Sequence, residues 1–270
     1  MSLDNEKITV ATLRAKKIAG ERLVMITGTD FSLARIADEA GVDVLLVGDS
    51  LATVALGYES TLPVTVDEML VFTRAVGRGA RRALVVADMP FLSYQVSAEE
   101  ARRNAGRFLK EGGAAAVKLE GGAEVAATAA SIVAMGVPVM GHVGLTPQSV
   151  HAMGGYRVQG RDDERAREIL DGARALEDAG VFAIVLEGIP RALAARVTAA
   201  LGVPTIGIGA GPECDGQVLL IHDLLGLWGG HRPKFVKRYA ACGDEAGRAV
   251  RQFCAEVRGG LFPDEEHSYD

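Results

Sequence analysis

The chain has 270 residues, of which 49% are hydrophobic and 24% are charged, and its formal net charge is −6 at pH 7. This composition is typical of a globular protein. The acidic balance offers no basic surface for nucleic acid or for an anionic membrane, so neither is expected as a partner.

The sequence predicts a protein of the reducing cytoplasm. No apolar run reaches the roughly 18 residues that a membrane-spanning helix needs. The first ten residues, MSLDNEKITV, lack the basic segment followed by an apolar one that marks a secretory signal. The three cysteines, Cys214, Cys242 and Cys254, form no C-x-x-C pair, which argues against a disulfide framework and against a zinc site.

In chain order, short apolar strands are predicted to alternate with amphipathic helices. A helical segment is expected first, at about 8–23, and an extra helix at about 243–258 precedes a polar tail, 263–270. Seven clear strands and a weaker eighth are predicted between them, at 24–27, 44–48, 84–88, 115–120, 137–144, 183–188, 203–211 and 218–223.

This alternation of strands and helices predicts an α/β fold with a parallel sheet covered on its faces. Eight strands in a chain of this length fit a closed (β/α)8 TIM barrel, which typically takes about 250 residues. An open doubly wound sheet is the competing interpretation. No linker or low-complexity tract divides the chain, so a single domain over 1–270, with helical additions at both ends, is expected.

The segment AVKLEGG (115–121) is apolar except for two charged residues. Side chains two positions apart on a strand share a face, so Lys118 and Glu120 should project together. Four other strands show an apolar face that ends in a polar residue: Leu45, Val47 and Asp49; Leu84, Val86 and Asp88; Met140 and His142; Ala183, Val185 and Glu187. Because barrel active sites lie at the carboxyl ends of the strands, here called the mouth, we expect these polar groups to meet there.

Each of these residues also has a purely structural interpretation. Asp49 and Asp88 could cap a turn or a helix, and Lys118 with Glu120 could form a simple ion pair. His142, like His222, could be a buried core histidine. Four carboxylates with one lysine at one mouth would repel one another, however, and such a cluster binds a cation or raises a pKa. The oxygen-rich set favours Mg²⁺ over zinc.

Two glycine-containing segments remain. IGIGAG (206–211) is not a dinucleotide fingerprint, since proline follows it at position 212. It follows strand seven, where barrel enzymes often bind phosphate, but close packing of the backbone is the favoured interpretation. HAMGGYRVQGR (151–161) follows strand five and is a candidate lid over the mouth.

Longer motifs carry a resemblance to a known family. They are VGDS (47–50), STLPVTVDEM (60–69), ADMPF (87–91), VKLEGG (117–122), GHVGLTPQSV (141–150), GGYRVQGR (154–161), VLEGIP (185–190), IGIGAG with DGQVLLIHD (206–211 and 215–223), and GGHRPKFVK (229–237). With these motifs in order, the chain resembles the ketopantoate hydroxymethyltransferase family, also called 3-methyl-2-oxobutanoate hydroxymethyltransferase. Long motifs such as GLTPQS are far more specific than any glycine pattern.

The resemblance implies a TIM-barrel enzyme of pantothenate synthesis. Such an enzyme transfers a one-carbon unit from its co-substrate 5,10-methylenetetrahydrofolate to 3-methyl-2-oxobutanoate, and the product is 2-dehydropantoate. The family uses Mg²⁺ and is commonly a homodecamer, built as a pentamer of dimers.

The resemblance also implies roles for single residues. Carried over by motif, the metal ligands are Asp49, Asp88 and Glu120; the keto acid contacts are Asp49, Ser50, Asp88 and Lys118; and the proton acceptor is Glu187. His142, which only the strand pattern places at the mouth, is a candidate for indirect support of the site. One position departs from the family: Thr29 stands where relatives usually carry a tyrosine, which removes a ring from the pocket region.

Two rival interpretations belong to other functional classes. One is a Mg²⁺-dependent barrel enzyme of the isocitrate lyase and phosphoenolpyruvate mutase kind, which acts on a 2-keto acid without folate. The other is a barrel that binds ligands without catalysis. The carboxylates, the lysine and the candidate lid argue against this second rival.

Overall fold

The structure is a computed structural model that describes residues 6–227, 229–230 and 232–270. His231 of the GGHRPKFVK motif and the first half of the N-terminal decapeptide lie outside the described residues. By internal contacts the chain forms two compact units, one ending at Leu220 and one comprising Ile221–Asp270. The expectation of a single domain over 1–270 stays a prediction.

Eight parallel strands close into a barrel in sequential order, which confirms the predicted (β/α)8 fold and excludes the open sheet. The strands are β1 Leu23–Thr27, β2 Val44–Val47, β3 Leu84–Asp88, β4 Ala116–Lys118, β5 Val139–Gly144, β6 Ala183–Glu187, β7 Thr205–Ile208 and β8 Gly216–Leu219.

Helices surround the strands and extend both ends of the chain. The first unit contains α1 Val10–Ala19, α2 Phe31–Glu39, α3 Leu51–Val54, α4 Val66–Gly79, α5 Ala98–Lys110, α6 Ala123–Val133, α7 Asp163–Asp178 and α8 Arg191–Ala200, with a 3₁₀ turn at Pro147–Ser149. The second unit contains α9 Ile221–Leu225 and α10 Cys242–Arg258, and α10 confirms the predicted extra helix.

The structure differs from the predicted bounds of the N-terminal helix and of the eighth strand. The N-terminal helix is shorter than 8–23, because Thr9 caps its start and Gly20, with φ of +71°, ends it. The eighth strand begins earlier than 218, at Gly216. A Cβ on Gly216 would lie 2.6 Å from both the Cβ and the carbonyl oxygen of Leu23, so this close pairing with β1 requires glycine.

The barrel interior confirms four of the five predicted strand faces and contradicts the fifth. Val86, Ala116, Met140 and Val185 lie in the central apolar cluster, beneath the predicted polar ends of β3 to β6. On β2 the interior residues are instead Val44 and Leu46, and Leu46 pairs in register with Val86. Leu45 and Val47 therefore face the helices.

Helix α1 covers the N-terminal ends of the strands. Ile8 donates its amide to Arg82 O at 2.8 Å, just before β3. Lys16 pairs with Asp43 at 2.6 Å, before β2, and Lys17 pairs with Asp215 at 2.8 Å, before β8. Leu13 is fully buried in the same apolar cluster as the strand interior. The end opposite the mouth is thus filled by side chains of this helix.

Leu13→Ala should lower the free energy of unfolding by about 2–5 kcal/mol, because it opens a cavity in a fully buried position. Urea denaturation measures the change. Arg14→Ala, at the neighbouring exposed position, is the control and should stay within about 0.5 kcal/mol. Equal effects of the two substitutions would contradict the stabilising contribution of Leu13 packed against the strand interior.

Helix α10 has an apolar stripe and no buried residue within its own chain. Val250, Phe253 and Val257 are exposed at helical spacing, and Leu261 follows them. No helix in the described part of the chain is both long enough and apolar enough to cross a bilayer.

Candidate active site

The mouth of the barrel brings together all six polar residues predicted from the strands. Asp88 and Lys118 are register partners at the ends of β3 and β4, and His142 and Glu187 lie on the neighbouring strands β5 and β6. Asp49, Asp88, Lys118, Glu120 and His142 are each at most 5% exposed. The Glu187 side chain is 17% exposed and is the most accessible of the six.

A continuous series of contacts links these side chains. Asp88 Oδ2 accepts the backbone amide of Asp49 at 2.9 Å, and Asp88 Oδ1 lies 2.5 Å from Lys118 Nζ. Lys118 Nζ lies 3.7 Å from Glu120 Oε1. His142 stands between the two glutamates, with Nδ1 3.5 Å from Glu120 Oε1 and Nε2 3.4 Å from Glu187 Oε2.

Asp49 reaches the mouth by a turn rather than by strand alternation. Strand β2 ends at Val47, and the turn through Gly48 redirects the chain before α3 begins at Leu51. A Cβ on Gly48 would lie 3.1 Å from Ser50 Oγ and 3.5 Å from Asp88 Oδ2. The predicted location of Asp49 agrees with the structure, but the prediction that it shares an interior strand face with Leu45 and Val47 was wrong. Ser50 follows Asp49 and is half-buried.

The cluster carries more negative than positive charge. Lys118 remains protonated, since Asp88, Glu120 and Asp49 raise its pKa by more than burial lowers it. Burial, then the charges of Glu120 and Asp88, raises the pKa of Asp49 well above its usual value. Burial also raises the pKa of Asp88, although Lys118 opposes this shift. The mouth is therefore suited to bind a cation.

Glu187 has the electrostatic properties of a general base. Burial raises its pKa to about 7, against the opposing attraction of His142. For Glu120 burial acts in the same direction, but His142, Lys118 and the Gln148 amide outweigh it and lower the pKa. The two glutamates on either side of His142 thus differ in proton affinity, and Glu187 is the one whose pKa lies near neutral pH.

Two buried residues that the sequence analysis did not single out support the carboxylates. Gln148 Nε2 donates to Asp49 Oδ2 at 2.9 Å, and the backbone amide of Gln148 donates to Glu120 Oε2 at 3.1 Å. Tyr94 OH lies 2.7 Å from Gln148 Oε1. Gln148 lies within the GLTPQS motif, which was the available signal, whereas no pattern around Tyr94 distinguishes it.

The loop predicted as a lid follows β5 and borders the mouth. The backbone N–H of Gln159 donates to Gly188 O at 2.8 Å, which connects the C-terminal part of the loop to the end of β6. Tyr156 on this loop is 60% exposed. Partial burial, then the charges of Asp49 and Glu187, raises the pKa of Tyr156, which indicates that its phenol lies near the cluster. Lid motion stays a prediction.

The donor atoms at the mouth decide whether a divalent ion fits there. Within the described ranges, no group of three or more His, Cys, Asp or Glu side chains is already arranged to hold a metal. A magnesium site needs fewer protein ligands, because one or two carboxylates with water and substrate oxygens suffice. Asp49, Asp88 and Glu120 place three carboxylates beside the single ammonium of Lys118, so oxygen donors with excess negative charge are available to an ion. The residues therefore fit Mg²⁺.

A cavity of about 450 Å³ borders the mouth on the side of α6 and α7. Its lining includes Gly121, directly after Glu120, and Gly144, the register partner of Glu187. Thr146 and Met153 of the loop after β5 also line it. This volume lies within the range of small-molecule sites.

Fold and site together define a TIM-barrel enzyme with a buried, acidic and lysine-containing mouth. The chain belongs to the ketopantoate hydroxymethyltransferase family, which it matches over residues 7–265. The protein named 3-methyl-2-oxobutanoate hydroxymethyltransferase from Carboxydothermus hydrogenoformans is 57% identical over 264 residues, 98% of this chain and 96% of that one. Its namesake from Geotalea uraniireducens is 58% identical over 261 residues, 97% and 98% of the two chains.

Solved structures of other proteins share the fold at low identity. Phosphonopyruvate hydrolase, in complex with oxalate and Mg²⁺, has a TM-score of 0.62 and 15% identity, and the match covers 96% of this chain and 92% of that one. 2,3-Dimethylmalate lyase, a member of the PEP mutase/isocitrate lyase superfamily, has a TM-score of 0.60 and 19% identity over 96% and 91%. At these identities the likeness shows the fold alone.

Proposed function

We propose that this protein transfers a hydroxymethyl unit from 5,10-methylenetetrahydrofolate to 3-methyl-2-oxobutanoate, which yields 2-dehydropantoate for pantothenate synthesis. The observation that carries the proposal is the largely buried Glu187, separated by His142 from the Asp49, Asp88, Lys118 and Glu120 cluster, in a chain that matches the family along almost its whole length. Such a cluster suits an anionic keto acid next to a base.

Asp49 and Asp88 are the residues that would hold Mg²⁺, with Glu120 as the third carboxylate beside them. When bound, the ion supplies positive charge that stabilises negative charge on the keto oxygen. Lys118, kept protonated by its carboxylate neighbours, binds the keto acid carboxylate. Ser50, at the start of α3 and half-buried, is a further contact to the same substrate.

Glu187 removes the proton from C3 of the keto acid. Its raised pKa makes it a stronger base than an exposed glutamate, and His142 Nε2 lies 3.4 Å from its carboxylate. A well-placed general base contributes roughly 10²–10⁴-fold to the rate. Both bonds from the methylene carbon to the folate nitrogens break: water adds to this carbon and releases it as formaldehyde, and the nitrogens take up the protons as tetrahydrofolate leaves. The nucleophilic C3 then adds to the formaldehyde carbon, and its oxygen takes up a proton to become the product hydroxyl.

The cavity beside the mouth supports a second substrate. It lies next to Glu120 and Glu187 through Gly121 and Gly144, so a carrier bound there would present its one-carbon unit close to the proposed base. The rival from the sequence, a lyase or mutase that acts on the keto acid without folate, would need no carrier in this cavity.

Mass spectrometry of the products tests the function. Purified protein with Mg²⁺ should convert 3-methyl-2-oxobutanoate to 2-dehydropantoate when methylenetetrahydrofolate is present and should leave it unchanged when folate is omitted. EDTA treatment should abolish the conversion, and added Mg²⁺ should restore it. Turnover of the keto acid without folate would favour the lyase or mutase, and full activity after EDTA would rule out the metal.

The exchange of the C3 proton with solvent should depend on pH through Glu187. Because the carboxylate is the active form and its pKa is about 7, kcat/KM for exchange should rise about tenfold per pH unit below 7 and level off above it. NMR of the keto acid in deuterated buffer measures the exchange. A profile already flat from pH 5 upward would contradict the raised pKa.

Cytoplasmic location and a homodecamer complete the proposal. The family resemblance supports both, and the exposed apolar stripe of α10 supports association with further copies. Light scattering coupled to size-exclusion chromatography measures the number of copies, and a monomer at micromolar concentration would remove this part of the proposal.

A further inference from the structure

Gln148 is a buried amide that bridges the barrel mouth. It lies in the 3₁₀ turn Pro147–Ser149, directly after β5, and is 5% exposed. Its side chain reaches the turn after β2, where Nε2 donates to Asp49 Oδ2 at 2.9 Å, and the loop after β3, where Nε2 donates to Met89 O at 3.0 Å. Its backbone amide donates to Glu120 Oε2 at 3.1 Å. One residue thus contacts two carboxylates of the cluster.

Tyr94 fixes the orientation of this amide. Its hydroxyl oxygen accepts the backbone N–H of Glu120 at 3.1 Å. The single hydroxyl hydrogen has two acceptors in reach, Gln148 Oε1 at 2.7 Å and Glu120 O at 3.0 Å, and we assign it to the shorter contact with Oε1. Gln95 Nε2 adds a longer contact to the same oxygen, at 3.3 Å. A flipped amide would place its oxygen against the Asp49 carboxylate and would lose these bonds.

A neutral donor suits this position better than a cation. Asp49 and Glu120 repel each other, and this repulsion contributes to the raised pKa of Asp49. Gln148 donates one N–H to each of them and adds no charge, so the carboxylates stay in place while the cluster keeps its excess negative charge. Removal of the side-chain donor would free the Asp49 carboxylate to rotate away from this arrangement.

We propose that Gln148 is a positioning residue that holds the Asp49 and Glu120 carboxylates in the arrangement that binds a divalent cation, and that Tyr94 orients its amide. The identity of the physiological ion and of the keto acid rests on the proposed function. The hydrogen-bond geometry does not depend on it.

The test uses Mn²⁺ as the probe, with binding to the complete protein followed by electron paramagnetic resonance without substrate. Gln148→Met removes both side-chain donors at similar length, and the dissociation constant should rise roughly 10–100-fold, as is common for groups that orient metal ligands. Tyr94→Phe removes only the hydroxyl and should weaken binding in the same direction by a smaller factor. In both variants the fold increase in KM for the keto acid should exceed the fold decrease in kcat for exchange, because the proposed base Glu187 is unchanged.

Asn104→Ala is the matched control. Asn104 Nδ2 donates to Ser93 O at 2.8 Å and so supports the loop that carries Tyr94, without contact to any carboxylate of the cluster. It should leave Mn²⁺ binding unchanged even where thermal unfolding shows lower stability. If Asn104→Ala weakened binding as much as Gln148→Met, the role of Gln148 would be structural.

The outcomes separate this inference from the proposed function. A dissociation constant for Gln148→Met within threefold of the unsubstituted protein overturns the positioning role, and if that variant does not fold, an unchanged constant for Tyr94→Phe overturns it. Weakened Mn²⁺ binding in these variants, together with a failure of the unsubstituted protein to make 2-dehydropantoate, would keep the inference and reject the function.

Discussion

Glu187→Gln should lower the exchange of the C3 proton by roughly 10²–10⁴-fold, because the amide keeps the shape of the side chain and cannot accept the proton. Binding of the keto acid and of Mg²⁺ should persist, since Glu187 contacts His142 rather than Asp49, Asp88 or Lys118. NMR in deuterated buffer measures exchange, and isothermal titration calorimetry measures binding.

Glu99→Gln is the matched control for this substitution. Glu99 pairs with Arg103 on the exposed face of α5, so the same isosteric change there should leave exchange at the original rate. Near-normal exchange in Glu187→Gln would assign the base to another group, and loss of keto acid binding would place Glu187 in substrate recognition instead.

Lys118→Met should destabilise the protein by about 3–5 kcal/mol at pH 7, because it leaves buried carboxylates without their cation. The loss should shrink as pH falls, since Asp49 and Asp88, whose pKa values burial raises, then take up protons. Added Mg²⁺ should restore part of the stability, because an ion that binds the native state alone stabilises it. Keto acid binding should weaken strongly.

Urea denaturation with and without Mg²⁺ measures these effects, and Arg103→Met is the control. The ion pair of Arg103 with Glu99 is exposed, so its loss should cost about 0–1 kcal/mol at any Mg²⁺ concentration. If Lys118→Met proved as stable as this control in the absence of Mg²⁺, the charge balance described for the mouth would be wrong.

The sequence predicted the barrel because each strand is a short apolar run between amphipathic helices. It also located Asp88, Lys118, His142 and Glu187 correctly, because these residues continue interior faces of regular strands, where alternation holds. Local periodicity is sufficient wherever the backbone remains extended up to the mouth.

The alternation of side chains along a strand did not predict their direction where the chain turns. Asp49 enters the mouth after the turn at Gly48, although Leu45 and Val47 of the same predicted face point outward. The start of β8 was missed because it depends on the space between Gly216 and Leu23, two residues far apart in sequence. Tyr94 and Gln148 act through contacts with residues 26 to 99 positions away, which no local pattern encodes.

The helix beneath the barrel has a kinetic consequence. Since Ile8 and Leu13 pack against the strand interior at that end, we expect ligands to enter by the opposite opening. In the proposed arrangement the keto acid binds at the buried Lys118, deeper in this passage than a folate bound in the cavity near Gly144 and Thr146. The deeper ligand must arrive first and depart last, so steady-state measurements should give an ordered sequence in which tetrahydrofolate is released before the hydroxymethylated acid.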